Sequence, residues 1–191
     1  MKKSKLLILS ILTSITLSAQ LLKPVAKSSS FDDSLNIVVT DYKNNFTGLQ
    51  GPILSAETDA ETYQSNACFP GASHCIIMRF HSIVDKSASW QTTLYSGEDY
   101  DAAMKTYKKI FDQLRKAKLK GVNGTTSTFE GKLELPDENV RFAVSTFRLK
   151  SPDMGYMDFA ADIELISNYD AWEVHLNLYK KKKDTEGGNI Q

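Results

Sequence analysis

From residue 30 the apolar positions first recur at helical spacing. Phe31, Leu35, Val38, Val39, Tyr42, Phe46 and Leu49 follow one another at steps of three and four, with Asp41, Lys43 and Asn44 on the other side. The spacing predicts an amphipathic helix. Ser30, with Asp33 three residues later, reads as its capping box, and Gly48 and Gly51 supply the stop. A second and longer stripe runs through Tyr100, Ala103, Tyr107, Ile110, Phe111 and Leu114. Ser96 with Asp99 reads as its capping box. Lys105, Lys108, Lys109, Arg115 and Lys116 line its flank, and Gly121 ends it.

Between and after these helices the period changes to two. Ile53 and Leu54 begin a short strand, whereas residues 57–66 are polar and read as a loop or irregular hairpin. Ile76, Met78, Phe80 and Val84 face one way, with Arg79 and His81 opposite. After the turn at 85–87, Trp90, Thr92 and Leu94 complete a hairpin. Beyond the second helix, Phe129, Leu133 and Leu135 alternate with Glu130, Lys132 and Glu134. Val140, Phe142 and Val144 form the next run, then Met157, Phe159, Ala161, Ile163 and Leu165, then Trp172, Val174, Leu176 and Leu178. Alternation with one wet face marks antiparallel strands, and short connections mark a meander.

The element order is α-β-β-(β)-α-β-β-β-β. The economical fold is α+β: an antiparallel, meander-like sheet of six to seven strands with both helices packed on one face. That order is similar to secretion-chaperone-like α+β domains, a likeness of order that carries no activity with it. Leu49-Gln50-Gly51 and Leu119-Lys120-Gly121 close the two helices in similar phrases, a hint of two related halves too short to establish a repeat.

Composition narrows the class without naming an activity. The 191 residues are 41% hydrophobic and 24% charged, with ten Gly and five Pro, which excludes collagen-like and disordered chains and allows a sizeable core. Lys and Arg number 23, as do Asp and Glu, so no basic field points to nucleic acid. The aromatics fall on core stripes rather than interleaving with basic residues, which also speaks against base stacking.

The N-terminus points outward from the cell. Lys2, Lys3 and Lys5 precede an apolar run at 6–17, and Ser18-Ala19 then meets Gln20. These are the three regions of a secretory signal peptide. The run is shorter than the roughly 20 residues of a membrane span, so no transmembrane segment is expected once it is cleaved. The expected organisation is a signal peptide at 1–19, a lead-in at 20–29, one α+β domain at 30–180 and a polar tail at 181–191. Cleavage removes three basic and no acidic residues, leaving a net charge of about −3. The Lys-led signal favours a bacterial periplasm or exterior. In a eukaryotic host, Asn45 and Asn123 would head glycosylation sequons.

Cys68 and Cys75 are the two cysteines, and export makes a disulfide between them the default. Pro70-Gly71 favours a turn that brings the sulfurs together. A redox pair more often has C-x-x-C spacing. A metal site at Cys68, His74 and Cys75 lacks a fourth ligand, and neighbours on one strand point to opposite faces.

Catalytic motifs are missing: the sequence holds no G-x-S-x-G, P-loop, G-x-G-x-x-G or H-E-x-x-H. No catalytic residue, metal or cofactor is therefore assigned. The polar sides of the strands offer a candidate ligand face of Arg79, His81, Glu130, Glu173 and His175. Three functions follow as expectations. The first is a secreted or periplasmic non-enzymatic domain binding a protein or small ligand through a sheet face or a helix–sheet groove. The second is a small hydrolase in which Arg79 and His81 meet Glu130 or Glu173, which acid–base chemistry would require. The third is a structural component of a cell-envelope assembly, marked by an exposed apolar patch or an open strand edge. The run Lys180 to Lys183 reads as a solvated strand end that discourages edge pairing.

Overall fold

The first helix stops earlier than its apolar stripe. The structure, a computed structural model, describes residues 26–27, 30–81, 86–121, 124–169 and 171–181. The signal segment, most of the lead-in, Val84 and the tail past Lys181 lie outside the described residues. Helix α1 spans Phe31–Asp41 and is followed by 3-10 turns at Tyr42–Asn44 and Thr47–Leu49. Its start is as expected: the Ser30 hydroxyl accepts from the Asp33 N–H at 3.1 Å and donates to the Asp33 carboxylate at 2.7 Å. The end is set by Asp41, whose carboxylate accepts from the Leu49 N–H at 3.0 Å and from Asn44 Nδ2 at 3.0 Å. Those bonds fold the chain back through left-handed Asn45 and Phe46. A Cβ at Gly48 would lie 2.8 Å from Asp41 Oδ1, so a larger residue there would push the carboxylate off its two bonds. Phe46 is still fully buried. The stripe therefore identified the core residue even though the backbone had left the helix.

The strands are β1 (Ala26–Lys27), β2 (Gln50–Ala56), β3 (Ala60–Ser65), β4 (Ala67–Cys68), β5 (His74–Phe80), β6 (Ala88–Gly97), β7 (Lys118–Lys120), β8 (Thr126–Gly131), β9 (Phe142–Lys150), β10 (Phe159–Asn168) and β11 (Ala171–Lys180), with α2 at Tyr100–Lys116. Nine of them form one antiparallel sheet in the order β2-β3-β5-β6-β11-β10-β9-β8-β7. Strands β1 and β4 make a separate two-residue parallel pair. Each half leads with a helix and meanders inward, and α2 carries the chain from the centre to the far edge. The last strand, β11, then returns to pair with β6.

Nine strands replace the six to seven expected. Strand β3 lies within the stretch read as loop, because of its side chains only Ser65 is fully buried and its register comes from β2 and β5. Strand β7 has three residues and no period to read. Two faces are also reversed. On β5 the buried side is Cys75 and Ile77, which leaves Ile76, Met78 and Phe80 on the open side. On β9 it is Ala143, Ser145, Phe147 and Leu149, and Phe142 is half exposed. Both strands are apolar on both faces, so alternation alone cannot choose, and a one-residue error inverts the whole strand. Ser145 can occupy the core because it bonds the Tyr107 hydroxyl at 2.7 Å and accepts from the Glu134 N–H at 2.9 Å. Leu133 and Leu135 fall beyond the end of β8.

Helix α2 matches its stripe, burying Ala103, Tyr107, Ile110, Phe111 and Leu114. Its cap is Asp99, which accepts from the Ala102 N–H at 3.1 Å, whereas Ser96 stays in β6. Both helices cover one face. Tyr42, just past α1, meets Phe159 edge-on at 4.8 Å, and Phe111 of α2 meets Phe147 at 4.8 Å. Phe147 lies opposite Ala161, two residues from Phe159, so both rings are on the same side of the sheet.

Cys68 and Cys75 are joined, with their Cα atoms 5.5 Å apart. The Ala72 N–H bonds the Phe69 carbonyl at 3.2 Å, and Gly71 has φ of 79°, as a type II turn with Pro at its first central position demands. Among the described residues no helix is long and apolar enough to cross a membrane.

Candidate functional site on the open sheet face

The face away from the helices is most distinctive where β6, β11 and β10 lie side by side. In register, His175 lies between Thr93 and Glu164, Asn177 between Gln91 and Asp162, and Tyr179 between Ser89 and Ala160. All these positions are half-buried or buried, unlike the solvated polar side usual for a one-sided sheet. Met78 and Phe80 of β5, displaced to this face by the strand's reversed orientation, form an apolar wall. Together with Gln91, Asp162, Asn177 and Tyr179 they border a groove of about 840 Å³.

Two clusters organise the face. The His175 ring, its side chain 12% exposed, has Nε2 at 2.9 Å from Glu173 Oε2 and Nδ1 at 3.0 Å from Gln91 Nε2. With the amide donating, Nδ1 is the acceptor and Nε2 carries the proton toward Glu173. The register shifts between Val174 and His175, a bulge that sets this ring's place on the face. In the second cluster the Tyr179 hydroxyl donates to Asp162 Oδ2 at 2.8 Å. Burial, and then that bond to Asp162, push the Tyr179 phenol well above its ordinary range. Asp162 Oδ1 and Asn177 Oδ1, on directly opposed residues, are buried and have no hydrogen-bond partner among the described residues. An unmet buried acceptor is costly, about 1–3 kcal/mol, unless a donor arrives from outside.

Glu164 adds a third acid. Burial holds its carboxyl above the usual glutamate range, partly opposed by Asn177. A raised pKa means that the folded state binds the proton more tightly than the unfolded chain. The stability this supplies is complete below the ordinary glutamate value and is lost as pH rises through the raised one. Glu164→Gln should therefore melt higher than the parent at about pH 8, with the gap closing toward about pH 4. Thermal melts across that range check it, and a gap that widens on acidification would refute it.

Of the five residues expected to form a ligand face, the sheet unites two. Glu173 and His175 lie on the open face in contact. Arg79 is on the helix side, donating to Gln50 Oε1 at 2.9 Å and to the Asn45 carbonyl at 3.1 Å. His81 pairs with Glu61 at 3.0 Å, and the same carboxylate accepts from Tyr63. Glu130 pairs with Lys150 at 3.3 Å on β8, five strands from β5. Arg79 and His81 thus meet neither Glu130 nor Glu173. Asp162, Glu164, Asn177, Tyr179 and Gln91 were not singled out from sequence. Their polar side was readable from the alternation of β10 and β11, but their convergence follows only from strand order.

No protein-family model, curated protein or solved structure matches this chain. The site is therefore read from its chemistry alone. Cys68 and Cys75 use their sulfurs on each other, which removes the thiolates a Cys–His metal site requires. No group of three His, Cys, Asp or Glu side chains is placed to hold a metal among the described residues. Among the described residues the hydroxyl in hydrogen-bond range of the His175 ring is that of Thr93, 3.5 Å from the nitrogen that Gln91 already occupies. What the face offers is a row of acceptors beside an apolar wall, in a groove that Lys180 and Lys181 also line.

Proposed function

We propose that this is an exported, non-enzymatic binding domain whose open sheet face holds a ligand bearing hydrogen-bond donors beside an apolar body. The observation that carries the reading is the opposed pair of buried acceptors, Asp162 Oδ1 and Asn177 Oδ1, without a partner among the described residues, in a groove walled by Met78 and Phe80. The Lys-led apolar N-terminus and the disulfide support a periplasmic or secreted location in a bacterium. An organic ammonium fits such a groove, its N–H donors meeting the acceptors and its body lying on the wall.

Calorimetric titration with phenethylammonium and its neutral counterpart 2-phenylethanol tests the reading. The ammonium should bind at least tenfold more tightly. Asp162→Asn keeps an acceptor for Tyr179 but removes the charge, and should cut that preference at least fivefold with the melting temperature nearly unchanged. Equal affinities for the two probes, or a preference untouched by Asp162→Asn, would refute it.

One observation favours a second reading, assembly through strand addition. Strand β2 is a sheet edge, and Ile53 and Leu54 are 52% and 56% exposed on it. If β2 takes a partner strand from another copy, sedimentation velocity should show concentration-dependent association that Leu54→Pro abolishes. A monomer at all concentrations would dispose of self-assembly.

A further inference from the structure

On the helix side of the sheet, remote from the open face, α1 and the ends of β7, β8 and β9 enclose a groove of about 540 Å³. That volume suits a small molecule. Its apolar lining is Val39, Leu119, Leu149 and Tyr156. Its charged groups, Lys43, Lys120 and Asp153, are unbalanced toward positive charge, and one hydroxyl is left to donate. Ser151 Oγ accepts from the Ser127 hydroxyl at 2.8 Å and from the Asp153 N–H at 3.1 Å. Both its acceptor positions are filled, so its own O–H is left to donate, and no acceptor takes it among the described residues.

The carboxylate beside it is already occupied. Among the described residues Asp153 is the sole carboxylate lining the groove. One of its oxygens accepts from Lys43 and the other from the Gly155 N–H at 2.9 Å. Lys43 holds the Asp153 carboxyl below its usual range, so it stays ionised and occupied. The Lys43 ammonium has three donors, of which Asp153 takes one, and it lies 4.6 Å over the Tyr156 ring. Lys120 also lines the groove and forms no ion pair among the described residues. Two lysines against one carboxylate leave a net positive charge.

We propose that this groove is a second binding site, for a small organic carboxylate whose apolar body rests on Val39, Leu119, Leu149 and Tyr156 while its oxygens accept from Ser151 and Lys43. It is independent of the open face in position and in ligand charge.

The test uses the full chain, with benzoate and its neutral counterpart benzamide as probes, followed by amide NMR shifts. Benzoate should give saturable shifts at Gly121, Ser151 and Tyr156 and bind at least fivefold more tightly than benzamide. Lys43→Gln should bring the two affinities within about twofold of each other. Ser151→Ala, which removes only a hydroxyl, should weaken benzoate at least threefold and serves if the lysine variant is unstable. Asp162→Asn should leave benzoate binding unchanged, which separates this site from the open-face reading. The proposal is overturned if benzoate gives no saturable shifts in the groove. It is equally overturned if benzamide binds as well, or if benzoate survives both groove variants at full affinity.

Discussion

Replacing Trp90 by alanine is expected to lower the unfolding free energy by about 3–5 kcal/mol, the largest single effect the fold implies. Trp90 is fully buried on β6, one of the two strands where the halves of the sheet meet. Its ring lies 5.4 Å from Phe69, which in turn lies 4.7 Å from Phe31 of α1. Removing the indole would open a cavity under the first helix that these anchored neighbours are poorly placed to close. A hydrogen bond from Nε1 to Ser65 Oγ, at 2.8 Å, is lost as well, but Ser65 keeps its bond to the Ala67 carbonyl. The cost is thus mainly one of packing. Trp90→Phe, which retains most of the ring and loses the bond, should cost only about 1–2 kcal/mol. Urea denaturation of the two variants measures both. Similar losses would mean that the hydrogen bond, not the packing, dominates.

Removing the disulfide should have the next largest effect. In the chain-entropy picture, closing the short loop between Cys68 and Cys75 stabilises the fold by about 2–3 kcal/mol. The double variant Cys68→Ala with Cys75→Ala should lose about that much and still fold. The reason is Phe69, inside the loop yet fully buried between Phe31 and Trp90, which holds the segment in place without the bond. The Pro70-Gly71 turn is likewise set by the backbone rather than by sulfur. Denaturant midpoints of the oxidised protein and the variant test this. Failure of the variant to fold would show that Phe69 and the turn do not suffice.

Legibility from sequence followed how one-sided each element is. On helix α2 and strands β10 and β11 the apolar stripe is buried largely as expected; the exceptions are Met157, which precedes β10 and is exposed, and Ala160, which is buried on the opposite side of that strand. Strands β5 and β9 carry neighbouring apolar residues, Ile76-Ile77-Met78 and Phe142-Ala143-Val144, so their faces depended on what the rest of the sheet left uncovered. The early end of α1 rests on the Asp41 side chain reaching forward to Leu49, a contact with no signature in spacing. The candidate site divides in the same way. Glu173 and His175 share a strand and could be paired by alternation. Asp162 and Glu164 join them only because α2 sends the chain to the far edge, so that β11 returns between β10 and β6.

The central claim is that the acceptor-lined face of β10 and β11 receives the ligand. Amide chemical-shift mapping during a phenethylammonium titration tests it most directly. The account predicts saturable changes concentrated at Asp162, Glu164, His175 and Asn177, with Met78 and Phe80 following, and their loss in Asp162→Asn. Changes confined to the helix side of the sheet, or none on β10 and β11 at saturating probe, would contradict it.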